Sequence, residues 1–127
     1  MPKRELIVLL WDAFSAVEEA ELVISEVKTY DAFEDSALHQ RALERIFEII
    51  GESLAKASKL NNELAITDLE KIIGLRHVIA HDYYSISIER IWNVATENLR
   101  LLKTEIGTCI EKENQRLFGT SNPNLNE

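Results

Sequence analysis

Within the eight residues Arg76-His77-Val78-Ile79-Ala80-His81-Asp82-Tyr83 the chain gathers a permanent cation, two imidazoles and a phenol. Histidine is scarce, with three in 127 residues, and two of the three are here. A guanidinium meets phosphate oxygens with a planar fork of donors, and an imidazole changes charge near neutral pH. The set therefore suits phosphate chemistry better than it suits a hydrophobic core. Its spacing imposes a condition. His77 and His81 are four apart and share one face of a continuous helix. Arg76 and His81 are five apart and diverge by about 140° around the axis. One substrate meets both only if the helix unwinds near His81, or if a second copy of the motif faces the first across a two-fold axis.

The elements that must hold this motif are helices. Only four glycines and two prolines interrupt the chain, and apolar residues recur at three- and four-residue steps. The first window, about 4–28, aligns Leu6, Leu9 and Leu10, Phe14, Val17, Ala20, Ile24 and Val27, with Glu18, Glu19, Glu21 and Glu26 on the other face. Asp31 and Glu34 are spaced as a capping pair for a second helix, about 32–59, that carries Leu38, Leu43, Ile46, Phe47, Ile50 and Leu54. Gly51 inside that helix costs about 1 kcal/mol against alanine, which points to close approach of another backbone. Thr67-Asp68-Leu69-Glu70 reads as a capping box opening a third helix that ends near His81. Ser87 is a candidate N-cap for a last helix, about 88–117, with Ile88, Ile91, Trp92, Ala95, Leu99, Leu102, Ile106, Cys109 and Ile110 on one stripe. The expectation is an all-α protein, an antiparallel four-helix bundle with its long helices open to kinking. Residues 1–118 form one domain in this reading, and 119–127 (GTSNPNLNE) a disordered polar tail.

Composition narrows the function. A single cysteine, Cys109, excludes an internal disulfide and fits a reducing cytosol. The apolar run from Leu6 to Trp11 is too short for a signal peptide or a membrane span, so a soluble, cytoplasmic protein is expected. Net charge is −8 and the pI is near 4.9, against the basic balance of a general nucleic-acid binder. From Asp12 to Asp35 there are eight acidic residues and one lysine, while Arg41, Arg45, Lys56, Lys59, Lys71, Arg76, Arg90 and Arg100 come later. An anionic ligand must use a local basic site.

The pattern Arg76-x4-His81-x-Tyr83 resembles the Arg-x4-His-x-Tyr signature of the HepT-like branch of the HEPN superfamily. Ile49-Ile50-Gly51-Glu52-Ser53, Ile72-Ile73-Gly74-Leu75 and Ile91-Trp92 resemble that branch as well, and the likeness spans roughly residues 4–105. The resemblance implies an all-helical homodimer whose paired motifs line a cleft, and an endoribonuclease toxin that cuts RNA without a metal ion or other cofactor. It also implies a partner, an MNT-type minimal nucleotidyltransferase antitoxin that adenylylates the motif tyrosine, and room for a larger hetero-oligomer. Carried over by position, Arg76 and His81 are catalytic and Tyr83 is the modification site. His77 stands where the family most often has asparagine, and a supporting phosphate contact is the role left to it.

The chemistry is sound on general grounds. RNA cleavage without a metal needs a base near the 2′-hydroxyl, an acid near the leaving oxygen and a cation on the phosphorane. Histidine serves either proton role, and a fixed guanidinium matches the developing charge. AMP on Tyr83 would set a bulky anion beside Arg76 and occupy the place of an RNA phosphate.

Plainer readings compete. Arg76 is also suited to an ion pair at a surface or dimer interface, and His77 and His81 to the cation-favouring end of a helix. Two histidines at i, i+4 can share a metal, but Val78 stands where the metalloprotease pattern has glutamate, and no third ligand is evident. Trp11 and Trp92 fall at core spacing, Cys109 reads as a small buried hydrophobe, and His39 as an exposed helix residue. Glu52 suits either a motif contact or a solvated role. A catalytically silent partner of a nucleotidyltransferase is the first rival to the nuclease, and a plain helical dimerisation protein the second.

Overall fold

A computed structural model describes residues 4–81 and 88–119, and every described element is a helix: α1 (Glu5–Val27), α2 (Tyr30–Glu34), α3 (Ala37–Leu60), α4 (Leu69–His81), α5 (Ile88–Glu97) and α6 (Leu99–Phe118). The all-α expectation is borne out. The four windows become six helices, because the second and the last are each divided.

α1 is the central element, packed against both α3 and α6, and α3 also packs against α4. Both α1 pairings are antiparallel. The start of α1 and the end of α3 share a groove at Leu9 and Lys56, and Glu26 near the end of α1 meets His39 at the start of α3. Along α6, Lys103 pairs with Glu21 at 2.9 Å, and Arg4 lies over the ring of Phe118 at 5.2 Å. Most of the predicted stripes are buried: Leu10, Val17 and Ala20 from α1, Leu43, Phe47, Ile50 and Leu54 from α3, and Ile91, Ile106 and Ile110 from the last two helices. Ala13 joins them, while Leu38, expected on the second stripe, is exposed at the start of α3. Gly51 is buried in α3.

The predicted second helix divides because caps at Thr29 and Ser36 win over the Asp31/Glu34 pair. Thr29 Oγ1 accepts from the Ala32 N–H at 3.1 Å, and Ser36 Oγ from the His39 N–H at 3.3 Å. Between them α2 presents Phe33, fully buried, to Trp92 of α5 with ring centroids 5.2 Å apart. Trp92 and Trp11 are partly buried against the core, Trp11 edge-on to Phe14. His39 is less exposed than its sequence position suggests: its ring meets Ser36 Oγ at 2.6 Å and the Glu26 carboxylate at 3.0 Å.

The last helix bends at Asn98 without losing its ladder, since Asn98 N–H reaches the Val94 carbonyl and Leu102 N–H the Asn98 carbonyl, both at 3.0 Å. Cys109 is buried as expected, and burial pushes its thiol pKa up. Gly119 closes α6 in the left-handed conformation (φ 71°), its N–H bonded to the Gln115 carbonyl at 2.7 Å. The tail predicted for 119–127 lies, after Gly119, outside the described residues. No helix among the described residues is long and apolar enough to cross a membrane.

Candidate functional site

α4 carries the motif. Its inward stripe is Leu69, Ile72, Leu75 and Ile79: Ile72 and Leu75 are buried, while Leu69 and Ile79 pack partly buried against the same core. That stripe fixes the helix's rotation against α3. Arg76, seven positions past Leu69, falls in helical projection between Leu69 and Ile72, on the partly buried Leu69 side of the stripe. Glu70, Gly74, His77 and His81 follow one another at four, three and four residues and occupy the side of the backbone opposite the stripe.

α4 remains helical through His81. The unwinding that would bring Arg76 and His81 together within one chain is therefore absent from the described residues. Along this backbone the two positions are separated by about 140° and about 7.5 Å of rise. Arg76, His77 and His81 are placed here by the helix backbone alone, and Tyr83 and the candidate cap Ser87 lie outside the described residues.

The helix start is held differently from the predicted capping box. α4 begins at Leu69, with the Asp68 carbonyl accepting from the Ile72 N–H at 3.1 Å. Thr67 does not use its hydroxyl as a box acceptor. Its N–H and its Oγ1 both donate to the carboxylate of Glu105 on α6, at 2.9 and 2.8 Å. Asp68 follows with a positive φ of 57°, a conformation that aspartate tolerates better than most side chains. Motif helix and outer helix are thus tied by one charge-assisted fork.

On the neighbouring helix, Glu52 is exposed and accepts from Lys56 Nζ at 3.1 Å. Among the described residues, no group of three or more His, Cys, Asp or Glu side chains could hold a metal ion.

Beside the start of α4 is a groove that sequence spacing does not reveal. It has a volume of about 280 Å³, with Ile72, Leu75 and Val94 as its apolar lining and Lys71, Arg90 and Asn98 as polar neighbours. Asp68 also borders it. Arg90, Val94 and Asn98 recur every four residues from α5 into the bend, but nothing in the sequence joins that series to Lys71. The tertiary packing does.

A family model described as "Ribonuclease HepT-like" matches residues 14–108. Three proteins of Methanocaldococcus jannaschii, each bearing the name "Putative RNase", are similar to the chain at 23%, 24% and 28% identity. The similarity covers 87%, 87% and 84% of this chain and 96%, 92% and 97% of theirs. No solved structure matches.

Proposed function

Since the chain belongs to the HepT-like ribonuclease family, we propose that it is a metal-independent endoribonuclease toxin whose site is built from Arg76 and His81 of two copies, and that adenylylation of Tyr83 switches it off. The observation that carries this reading is the match over residues 14–108, which contains Arg76-x4-His81-x-Tyr83 on and just beyond α4.

α4 continues through His81, so Arg76 and His81 of one chain diverge. A homodimer with its two-fold axis beside α4 brings the arginine of one copy toward the histidine of the other. The reaction then needs no metal. An imidazole takes the proton of the ribose 2′-hydroxyl as that oxygen attacks phosphorus, and an imidazolium returns a proton to the departing 5′-oxygen. The guanidinium holds the equatorial oxygens as their charge grows, and it keeps its own charge throughout. His77, on the same side of α4 as His81, is assigned a supporting contact to phosphate.

Control follows from the same charges. The Tyr83 phenol oxygen attacks the α-phosphate of ATP in the active site of an MNT-type nucleotidyltransferase antitoxin, pyrophosphate leaves, and AMP remains on the tyrosine. Its phosphate competes with RNA for Arg76. Antitoxin and toxin dimer form the larger assembly in this reading, which is placed in the cytoplasm.

The net charge of −8 favours one alternative, a silent binding partner of the nucleotidyltransferase, because an acidic surface repels RNA. Purified protein incubated with RNA in EDTA separates the two. Cleavage leaving 2′,3′-cyclic phosphate ends, and lost on Arg76→Ala or His81→Ala, supports the nuclease. Intact RNA, together with AMP transfer to Tyr83, overturns it in favour of the partner.

A further inference from the structure

Gly74, on the outward side of the motif helix, has open space beside it: a Cβ built there meets no heavy atom within 4 Å. It belongs to a row. Lys71, Gly74, Val78 and His81 succeed one another at three, four and three residues, a ridge along one side of α4. Lys71 and His81 thus mark its two ends, about 15 Å apart along the axis. Arg76 is on a different side, about 140° from Lys71.

Lys71 also borders the groove between the first turn of α4 and α5, which has a volume of about 280 Å³. The groove combines two chemistries. Ile72, Leu75 and Val94 provide an apolar lining for the flat face of a base or the carbons of a ribose. Lys71 and Arg90, both exposed, place two cations at its border, and Asn98 adds an amide that both donates and accepts. In a chain of net charge −8, two cations from different helices meeting at one apolar cleft are a local exception to the acidic surface. Asp68 sits on the same border, so the groove selects an anion that can approach the Lys71–Arg90 side.

We propose that this groove is an RNA subsite distinct from the motif: Lys71 and Arg90 hold a backbone phosphate, and the apolar lining holds the attached nucleoside. The proposal rests on the nuclease reading for its substrate. The ridge gives it direction, because a strand cut beside His81 can follow α4 past the bare backbone at Gly74 to reach Lys71. That path is a few nucleotides of single strand. The subsite therefore contributes affinity for longer RNA and leaves the bond-breaking step to the motif.

The test uses a fluorescent single-stranded oligoribonucleotide of roughly 12 nucleotides. Binding is measured on full-length protein carrying His81→Ala, so that the probe stays intact. Adding Lys71→Glu, or separately Arg90→Glu, is expected to weaken binding about tenfold, and Lys71→Arg to retain it. Lys71→Ala is expected to reduce the salt dependence of binding by about one ion. Lys59→Glu, the same charge change beside the separate groove of α1 and α3, is expected to alter binding less than about twofold. In the otherwise native protein, Lys71→Glu raises KM for the oligonucleotide, leaves kcat unchanged, and leaves cleavage of a dinucleotide untouched. Equal binding losses for Lys71→Glu and Lys59→Glu overturn the subsite, whether or not the native protein cuts RNA. Charge-sensitive binding without any cleavage by the native protein supports the subsite and removes the nuclease reading instead.

Discussion

Thr67 and Glu105 are 38 residues apart in sequence, yet one carboxylate receives both the backbone N–H and the hydroxyl of that threonine. The contact fastens the turn before α4 to the side of α6. It does so two residues ahead of the helix that bears Arg76 and His81, so the position of the motif helix is set partly by a side chain of α6. Thr67 is exposed and Glu105 half-buried, which keeps the fork modest in energy despite its charge.

Glu105→Ala is accordingly expected to cost about 1 kcal/mol in denaturant unfolding. Amide hydrogen exchange should accelerate at Thr67 and in the first turn of α4 before it changes in α1 or α3. Thr67→Val removes the hydroxyl but keeps the N–H, so its loss should be the smaller of the two. A double-mutant cycle checks the pairing: additive losses would show that the two residues do not act together.

This fork explains what the sequence concealed at α4. Thr67-Asp68-Leu69-Glu70 announces a helix start, and the helix does start there, because capping-box residues and an apolar run agree on the location. Which acceptor meets the Thr67 hydroxyl depends on a helix that arrives much later, and local spacing carries no trace of it. The division of the second helix was legible in principle: Thr29 and Ser36 are good N-cap types, each three residues before the N–H it caps. The bend at Asn98 was not, because the apolar stripe from Ile91 through Ala95, Leu99 and Leu102 keeps its period straight across it. At the candidate site, Arg76, His77 and His81 were legible as types and spacing, and α4 carries all three positions on one helix. The groove of Lys71, Arg90 and Asn98 required packing to assemble it.

Phe33 is the plug that gives α2 its purpose. It is fully buried, lies against Trp92 and comes from a helix of only five residues that has no other buried side chain. Phe33→Ala should cost about 3–5 kcal/mol, near the upper range for a core aromatic. Trp92 fluorescence should shift to the red in the folded state as its ring loses that neighbour. Phe33→Leu should recover more than half of the lost stability. An unshifted Trp92 emission in Phe33→Ala would mean that the two rings do not share an environment.

Glu44 gives a pH signature. Burial raises its pKa above the ordinary carboxylate value, the negative charge of Glu48 raises it further, and Arg41 only partly opposes them. A carboxyl raised in the folded state stabilises the protein while protonated, and that contribution is lost as pH rises through the folded value. At neutral pH the ionised group is a liability. Glu44→Gln should therefore raise Tm at pH 7, and the gain should shrink toward zero below about pH 4, where glutamate is itself protonated. A lower Tm at pH 7 would show that the ionised carboxylate makes a net favourable contact.

The divergence of Arg76 and His81 on an unbroken helix yields the sharpest test of a site shared between two copies. Arg76→Ala and His81→Ala proteins should each be inactive alone. When they are unfolded together and refolded as a mixture, heterodimers form that carry one site missing both groups and one site with both intact. Such heterodimers should recover about half of the native RNA cleavage per dimer. If each site instead used the arginine and histidine of a single chain, both sites of a heterodimer would be defective and mixing would restore nothing. Recovery that tracks the heterodimer fraction, read by native mass spectrometry on the same samples, places the two groups on opposite copies. Unrecovered activity with heterodimers present returns the site to one chain and requires the backbone beyond His81 to bring that histidine round to Arg76.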